Sequence, residues 1–170
     1  MVTEVTETLA APVRGQAAGP PEERAWRALC SVMDPELPVL SVVDLGIVRY
    51  VRFAGGCLRV GITPTYSGCP ATEVIQRSVR EALAREELGE VTVETVLSPP
   101  WTSEWLSEEG RRKLQAFGIA APTARASCNV TCPRCCSHDV ERVSEFGSTP
   151  CKAHYRCSDC LEPFDVFKCI

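Results

Sequence analysis

Cys132-Pro-Arg-Cys135 and Cys157-Ser-Asp-Cys160 decide how the C-terminal part of this 170-residue chain folds. They are two Cys-x2-Cys pairs with 21 residues between Cys135 and Cys157. Each pair sits on a tight turn that aims both sulfurs at one point. Two such turns on a hairpin make a closed tetrahedral four-sulfur site, which suits zinc or a mononuclear iron. Tyr155-Arg156 precedes the second pair and Pro163-Phe164-Asp165-Val166-Phe167 follows it, the aromatic and β-branched content of a small β-ribbon. The doubled spacing favours a metal site over a disulfide framework.

Working outward, the composition is 45% hydrophobic and 24% charged, so the chain can build an ordinary globular core. Its length suits one typical domain, or a small domain followed by a smaller metal-held one. Eleven cysteines, an odd number, and an acidic N-terminus without a long apolar run point to a reducing cytosol, with thiolates used for metal or redox work. No stretch reaches the roughly 18 apolar residues of a membrane span. From Ser127 to Ile170 there are five Lys/Arg against six Asp/Glu, and the whole chain carries −4. That balance excludes the basic face a nucleic-acid-binding ribbon needs.

The chain divides into a tail (1–19), an α+β domain (20–119), a linker (120–127) and the ribbon (128–170). Pro20-Pro21-Glu22-Glu23 opens a helix with proline and acids in its first turn. Ala25, Trp26, Leu29, Val32 and Met33 share one helical face, and Asp34-Pro35 ends it. Strands are predicted over 47–53 and 57–63, joined by Gly55-Gly56. A helix follows Pro70, with Ala71, Val74, Ile75, Val79, Ala82 and Leu83 at helical spacing, and a third strand covers 91–97. A last helical piece runs through Arg111 to Gly118. The fold class is therefore α+β: a small mixed three-stranded sheet covered by helices, followed by a four-cysteine β zinc ribbon. The ribbon is too short to hold a core, so its metal supplies folding free energy on the order of 10 kcal/mol.

Two further segments carry more polar and glycine detail than packing alone needs: Asp34-Pro-Glu36 through Asp44-Leu-Gly46, and Thr63-Pro-Thr-Tyr66-Ser-Gly68-Cys69-Pro70. Gly68 permits a sharp turn and Pro70 suits the first helical position. Cys69 then sits at a helix N-terminus, where backbone N–H groups favour thiolate. It is either a small residue packed at a turn or a nucleophile and metal ligand. Asp34, Glu36 and Asp44 are either caps and loop acids or groups that ligate iron or dock a partner beside Cys69.

These segments resemble the small iron–sulfur assembly domain of cluster-targeting factors, over residues from about 22 to 100. Trp101-Thr-Ser-Glu-Trp105-Leu, Phe117-Gly-Ile-Ala-Ala-Pro122, Phe146-Gly-Ser-Thr-Pro-Cys151-Lys and Glu162-Pro-Phe-Asp-Val-Phe-Lys-Cys169 narrow the likeness. With the cysteine pairs, they resemble the D-subunit family of the phenylacetyl-CoA epoxidase (phenylacetate-CoA oxygenase) system. The resemblance implies an accessory role in aerobic phenylacetate breakdown, maturing an iron centre. The partners it implies are the oxygenase and reductase subunits and the iron–sulfur assembly machinery, with a homodimer left open. It makes Cys69 the position that handles iron or a cluster, transiently, while zinc fills the ribbon. Cys136 stands where relatives often carry glycine after the first pair, which bears on the geometry of that turn.

Cys151 and Cys169 are accessory thiols, either pairing or acting as alternative ligands, and Cys128 and Cys136 crowd the first knuckle. Cys30 and Cys57 read as packing residues. His138 and His154 lie near a shell that four thiolates already fill. Trp26, Trp101 and Trp105 read as core or interdomain contacts. No nucleotide-binding glycine loop, Ser-His-Asp set or Glu-x-x-His di-iron pair appears, so oxygenase chemistry belongs to other subunits. The alternative function is a thiol redox or integral catalytic component of the oxygenase, using Cys69 with Cys151 or Cys169.

Overall fold

The structure, a computed structural model, describes residues 20–66, 68–122 and 130–169. The expected tail, most of the expected linker and Cys128 lie outside the described residues. Helix α1 spans Pro20–Leu29, with Glu22 and Glu23 at its positive end and Ala25 and Leu29 buried. The apolar spacing predicts a helix running on to Met33, but the chain leaves it after Leu29. Ser31 and Val32 donate to the carbonyls three residues back, at 3.0 and 3.1 Å, which tightens the last turn. Asp34 supplies the reason. Its Oδ1 accepts the backbone N–H groups of Glu36 and Leu37, both at 2.8 Å, offering the chain a turn in place of helix. Val32 stays buried outside the helix, whereas Met33 is exposed.

Strands β1 (Val48–Ala54) and β2 (Cys57–Ile62) form the predicted hairpin. Gly55 and Gly56 take φ values of 61° and 80°, the left-handed pair that a two-residue turn of matching twist requires. Helix α2 (Ala71–Ala84) buries Ala71, Ile75, Val79 and Leu83, one residue per turn, and carries the chain across to β3 (Glu90–Thr95). Strand β3 lies parallel to β2, so the sheet is mixed with order β1-β2-β3. Beyond it come a 3-10 turn (Ser103–Trp105) and α3 (Glu108–Ala116). The Ser107 hydroxyl caps α3 by accepting Gly110 N–H at 2.9 Å.

The ribbon is a four-stranded sheet of β4 (Ile119–Ala120), β5 (Val140–Ser144), β6 (Lys152–Cys157) and β7 (Pro163–Phe167), in the order β4-β7-β6-β5. Strand β4 pairs parallel with β7 directly after α3. Two residues are too few to show a period in the sequence.

The main core gathers Leu29, Leu40, Leu45, Leu58, Ile62, Leu83 and Leu114, and Phe167 and Cys151 of the ribbon join it. Phe167 is fully buried, its ring edge-on to Trp101 at 6.0 Å and 61°. The ribbon's own cluster is small: Ala120, Cys132, Cys157, Phe164 and Val166. It is therefore anchored at two ends, by sulfurs at one and by the main core at the other. Among the described residues no helix is long and apolar enough to cross a membrane.

A four-sulfur centre and a thiol and carboxylate cavity

The sulfurs of Cys132, Cys135, Cys157 and Cys160 all lie within 4.8 Å of one another. Cys132 and Cys160 are 3.7 Å apart and Cys135 and Cys157 3.5 Å. A tetrahedron with metal–sulfur bonds of about 2.3 Å has edges of about 3.8 Å, so the set fits one tetrahedral ion. Two matching turns build it. Cys136 N–H returns to Cys132 O at 3.0 Å in the first, and Cys157 N–H reaches Glu162 O at 3.1 Å beside the second. The residue after each pair, Cys136 and Leu161, has φ 62°. Glycine is the natural occupant there. Side chains at both positions cost about 1–2 kcal/mol each, which a metal bound by the four sulfurs would offset.

Electrostatics also ask for a cation. Backbone N–H groups of Cys160 and Asp159 hold the Cys157 thiol down at about 7. At Cys135 the Ser137 N–H works in the same direction, but burial and the three neighbouring sulfurs outweigh it and push that thiol up to about 12. A metal ion reverses this crowding by stabilising all four thiolates. The histidines are engaged elsewhere. His138 Nδ1 meets Thr131 Oγ1 at 3.3 Å, and His154 Nδ1 meets Asp165 Oδ1 at 3.2 Å.

A second constellation lies at the other end of β6, about 20 Å away by the rise of a strand. There a narrow cavity is lined by Asp34, Glu36, Cys69 and Cys151, with Thr63 and Phe167 among its walls. It has about 20 Å³ of room for the centre of a water-sized sphere, enough for one such body. Three segments converge on it. The Asp34 turn after α1 presents two carboxylates. The loop between β2 and α2 presents Cys69 immediately before Pro70, whose φ −66° and ψ −24° are already helical. The ribbon presents Cys151, whose Sγ lies 3.9 Å from Glu36 Oε2 and 3.1 Å from Thr149 Oγ1.

Burial raises the carboxyl pKa of Asp34 even though backbone N–H groups oppose it. Burial and the Asp34 charge do the same to Glu36. The Cys151 thiol is pushed up chiefly by burial, with the two carboxylates adding to it. Tyr66 stands beside Cys69. Its buried hydroxyl lacks a hydrogen bond of ordinary geometry, and burial followed by the Cys69 sulfur holds its pKa at about 12. Each of these groups resists carrying negative charge alone, and a cation would relieve all of them.

The structure thus brings Asp34, Glu36, Cys69 and Cys151 together, and it places Asp44 and Cys169 elsewhere. Asp44 is buried; it accepts from the Ser41 hydroxyl at 2.8 Å and pairs with Lys113 Nζ at 2.7 Å. With Gly46 it fastens the segment from Trp101 to Lys113: Trp101 Nε1 donates to Leu45 O, and Ser107 N–H to Asp44 O. Gly46 has φ 69°, and a Cβ there would collide with the carbonyl oxygen of Trp105. Cys169 lines a groove with Ala121, Tyr155 and Lys168. Lys152, buried and paired with Asp165 at 3.4 Å, is a cation that the strand pattern did not mark; it sits one residue after Cys151, where the strand enters the core.

Two family descriptions match the chain: "Iron-sulfur cluster assembly protein" over residues 22–97, and "PaaD zinc beta ribbon domain" over residues 119–168. An Escherichia coli K12 protein, named as the D subunit of a "Putative 1,2-phenylacetyl-CoA epoxidase", is 46% identical over 159 residues, 90% of this chain and 96% of that one. A Porphyromonas gingivalis "Fe-S protein maturation auxiliary factor" is 35% identical over 95 residues, 55% of this chain and 90% of that protein. The crystal structure of a domain of unknown function, DUF59, from Bacillus anthracis is 31% identical. It superposes with a TM-score of 0.53, covering 55% of this chain and 91% of that one. Identity sustained across both units, at near-full length, assigns the chain to the D-subunit family of the phenylacetyl-CoA epoxidase system.

Proposed function

We propose that this protein is an accessory maturation factor of a phenylacetyl-CoA epoxidase system, which receives iron or a small cluster at Cys69 and passes it to the oxygenase or its reductase. The observation that carries the reading is the cavity that Cys69 lines together with Asp34 and Glu36. A closed four-sulfur shell keeps its ion, whereas a mixed set of thiol and carboxylate donors that is not drawn into a closed shell binds and releases. Likeness over 55% of the chain to a protein named as an iron–sulfur maturation factor supports it. The ribbon ion is zinc in this reading. Cys132, Cys135, Cys157 and Cys160 hold it, and its contribution is folding free energy.

The test is anaerobic loading with ferrous iron and sulfide, followed by incubation with the iron-free oxygenase and reductase subunits, for wild type and Cys69→Ser. Wild type should restore epoxidase activity and Cys69→Ser should not. Equal activation by both would remove the reading. Cys69 and Cys151 in one cavity also support a second reading, a thiol redox role. That role requires a Cys69–Cys151 disulfide under oxidant challenge, and mass spectrometry of alkylated protein showing both reduced would discard it.

A further inference from the structure

We propose that Cys151 is the second thiolate ligand for the ion held at Cys69, so that the receiving site is assembled from the ribbon and the α+β domain together. The inference rests on the reading of Cys69 as the iron-handling thiol. Cys151 belongs to the ribbon in sequence, yet it packs in the main core cluster and not with the ribbon's own cluster of Cys132, Cys157 and Phe164. It is only 5% exposed, and it lines the cavity together with Cys69, Asp34 and Glu36. Its sulfur already approaches Glu36 Oε2 at 3.9 Å. Phe167, on the neighbouring strand β7, fixes that approach by filling the core beside it.

Two sulfurs and two carboxylates form a borderline donor set that suits a divalent first-row ion such as Fe²⁺. The room available takes a single ion and not a preformed four-iron cluster. Among the described residues only the four ribbon sulfurs are all within 4.8 Å of one another, so the cavity donors must draw in around an arriving ion. Binding breaks two S–H bonds, forms two Fe–S bonds and releases two protons to solvent, with no change in oxidation state. A metal held this way ties the two units together, and an undocked ribbon leaves Cys69 with carboxylates alone.

The experiment titrates Co²⁺, as a spectroscopic stand-in for Fe²⁺, into reduced full-length protein whose ribbon already holds one zinc, under anaerobic conditions. The sulfur-to-cobalt charge-transfer band reports the number of thiolates bound, a quantity that a packing role would not alter. Wild type should show a saturable band at one cobalt per chain with zinc retained. Cys151→Ser and Cys69→Ser should each give about half that intensity and bind about tenfold or more weakly. Cys151→Ala, which keeps the site apolar, should match Cys151→Ser and covers the case in which a buried hydroxyl disturbs folding. Wild-type intensity in both Cys151 variants, with loss only in Cys69→Ser, overturns this inference and leaves the Cys69 reading standing. Wild-type intensity in Cys69→Ser overturns the Cys69 reading itself.

Discussion

Replacing Phe167 by alanine tests whether the ribbon is a structural part of the domain that precedes it. The ring is fully buried, contacts Trp101 edge-on at 6.0 Å, and belongs to the cluster that includes Leu29, Leu58 and Leu83. Truncating a buried phenylalanine costs about 3–5 kcal/mol, and the edge-to-face pair accounts for about 0.5–1.5 kcal/mol within that. In a chain of this size each kcal/mol lowers Tm by about 2–4 °C, so the expected shift is about 6–20 °C. Thermal unfolding of zinc-loaded protein gives the total, and amide hydrogen exchange gives its distribution. Protection should fall in β1 and β2 as well as in β6 and β7, because the ring lies in a shared core. A shift below about 3 °C, or a loss of protection confined to residues 130–169, would refute the reasoning and make the two units independent.

Cys157→Ser removes one of four converging sulfurs; it should release the ribbon metal in a chromophoric chelator assay and abolish hydrogen-exchange protection in β5 and β6, and retained stoichiometric zinc would contradict the four-sulfur assignment. Gly46→Ala should cost at least about 2 kcal/mol in urea unfolding, from a left-handed φ of 69° and a clash with Trp105 O, and a change under about 0.5 kcal/mol (roughly a tenth of ordinary stability) would show that the Trp105 segment moves aside freely. Asp44 gives a pH signature. Burial alone would raise its pKa, but Lys113 and the Ser41 hydroxyl and N–H outweigh it and hold the carboxyl below its ordinary value of 3.8. A depressed folded-state pKa contributes stability that is present above the unfolded value and lost as pH falls through the folded one. Wild type should therefore lose stability more steeply than Asp44→Asn below about pH 4, and parallel stability curves there would count against the Asp44–Lys113 pair.

Much of this architecture is readable from local pattern. Gly55-Gly56 between two β-branched runs specifies its hairpin, and the one-per-turn stripe from Ala71 to Leu83 specifies α2, because both signals act within a few residues. The doubled Cys-x2-Cys carries its own geometry and gives the ribbon. What the sequence did not disclose depends on a local competition for backbone N–H groups or on contacts distant in the chain. The end of α1 is set by the Asp34 side chain competing for backbone N–H groups, against an apolar period that continues to Met33. Strand β4 exists because β7 is there to pair with it. Asp34 and Asp44 look alike as motif acids, yet only Asp34 lines the cavity. Asp44 is taken up by Lys113, 69 residues away. Cys151 reads as a surplus ribbon thiol until the docking of Phe167 brings it beside Glu36, 115 residues earlier.

The proposed role of Cys69, as the thiol through which iron is received and handed on, is open to direct measurement. Radiolabelled iron is followed, anaerobically, from loaded protein to the iron-free oxygenase and reductase subunits, comparing wild type with Cys69→Ser at matched folding and zinc content. Wild type should transfer label to one client in step with its activation, and Cys69→Ser should neither retain nor transfer it while its stability stays within about 1 kcal/mol of wild type. Undiminished transfer by Cys69→Ser would contradict this role and leave Cys69 as a small residue at the start of a helix.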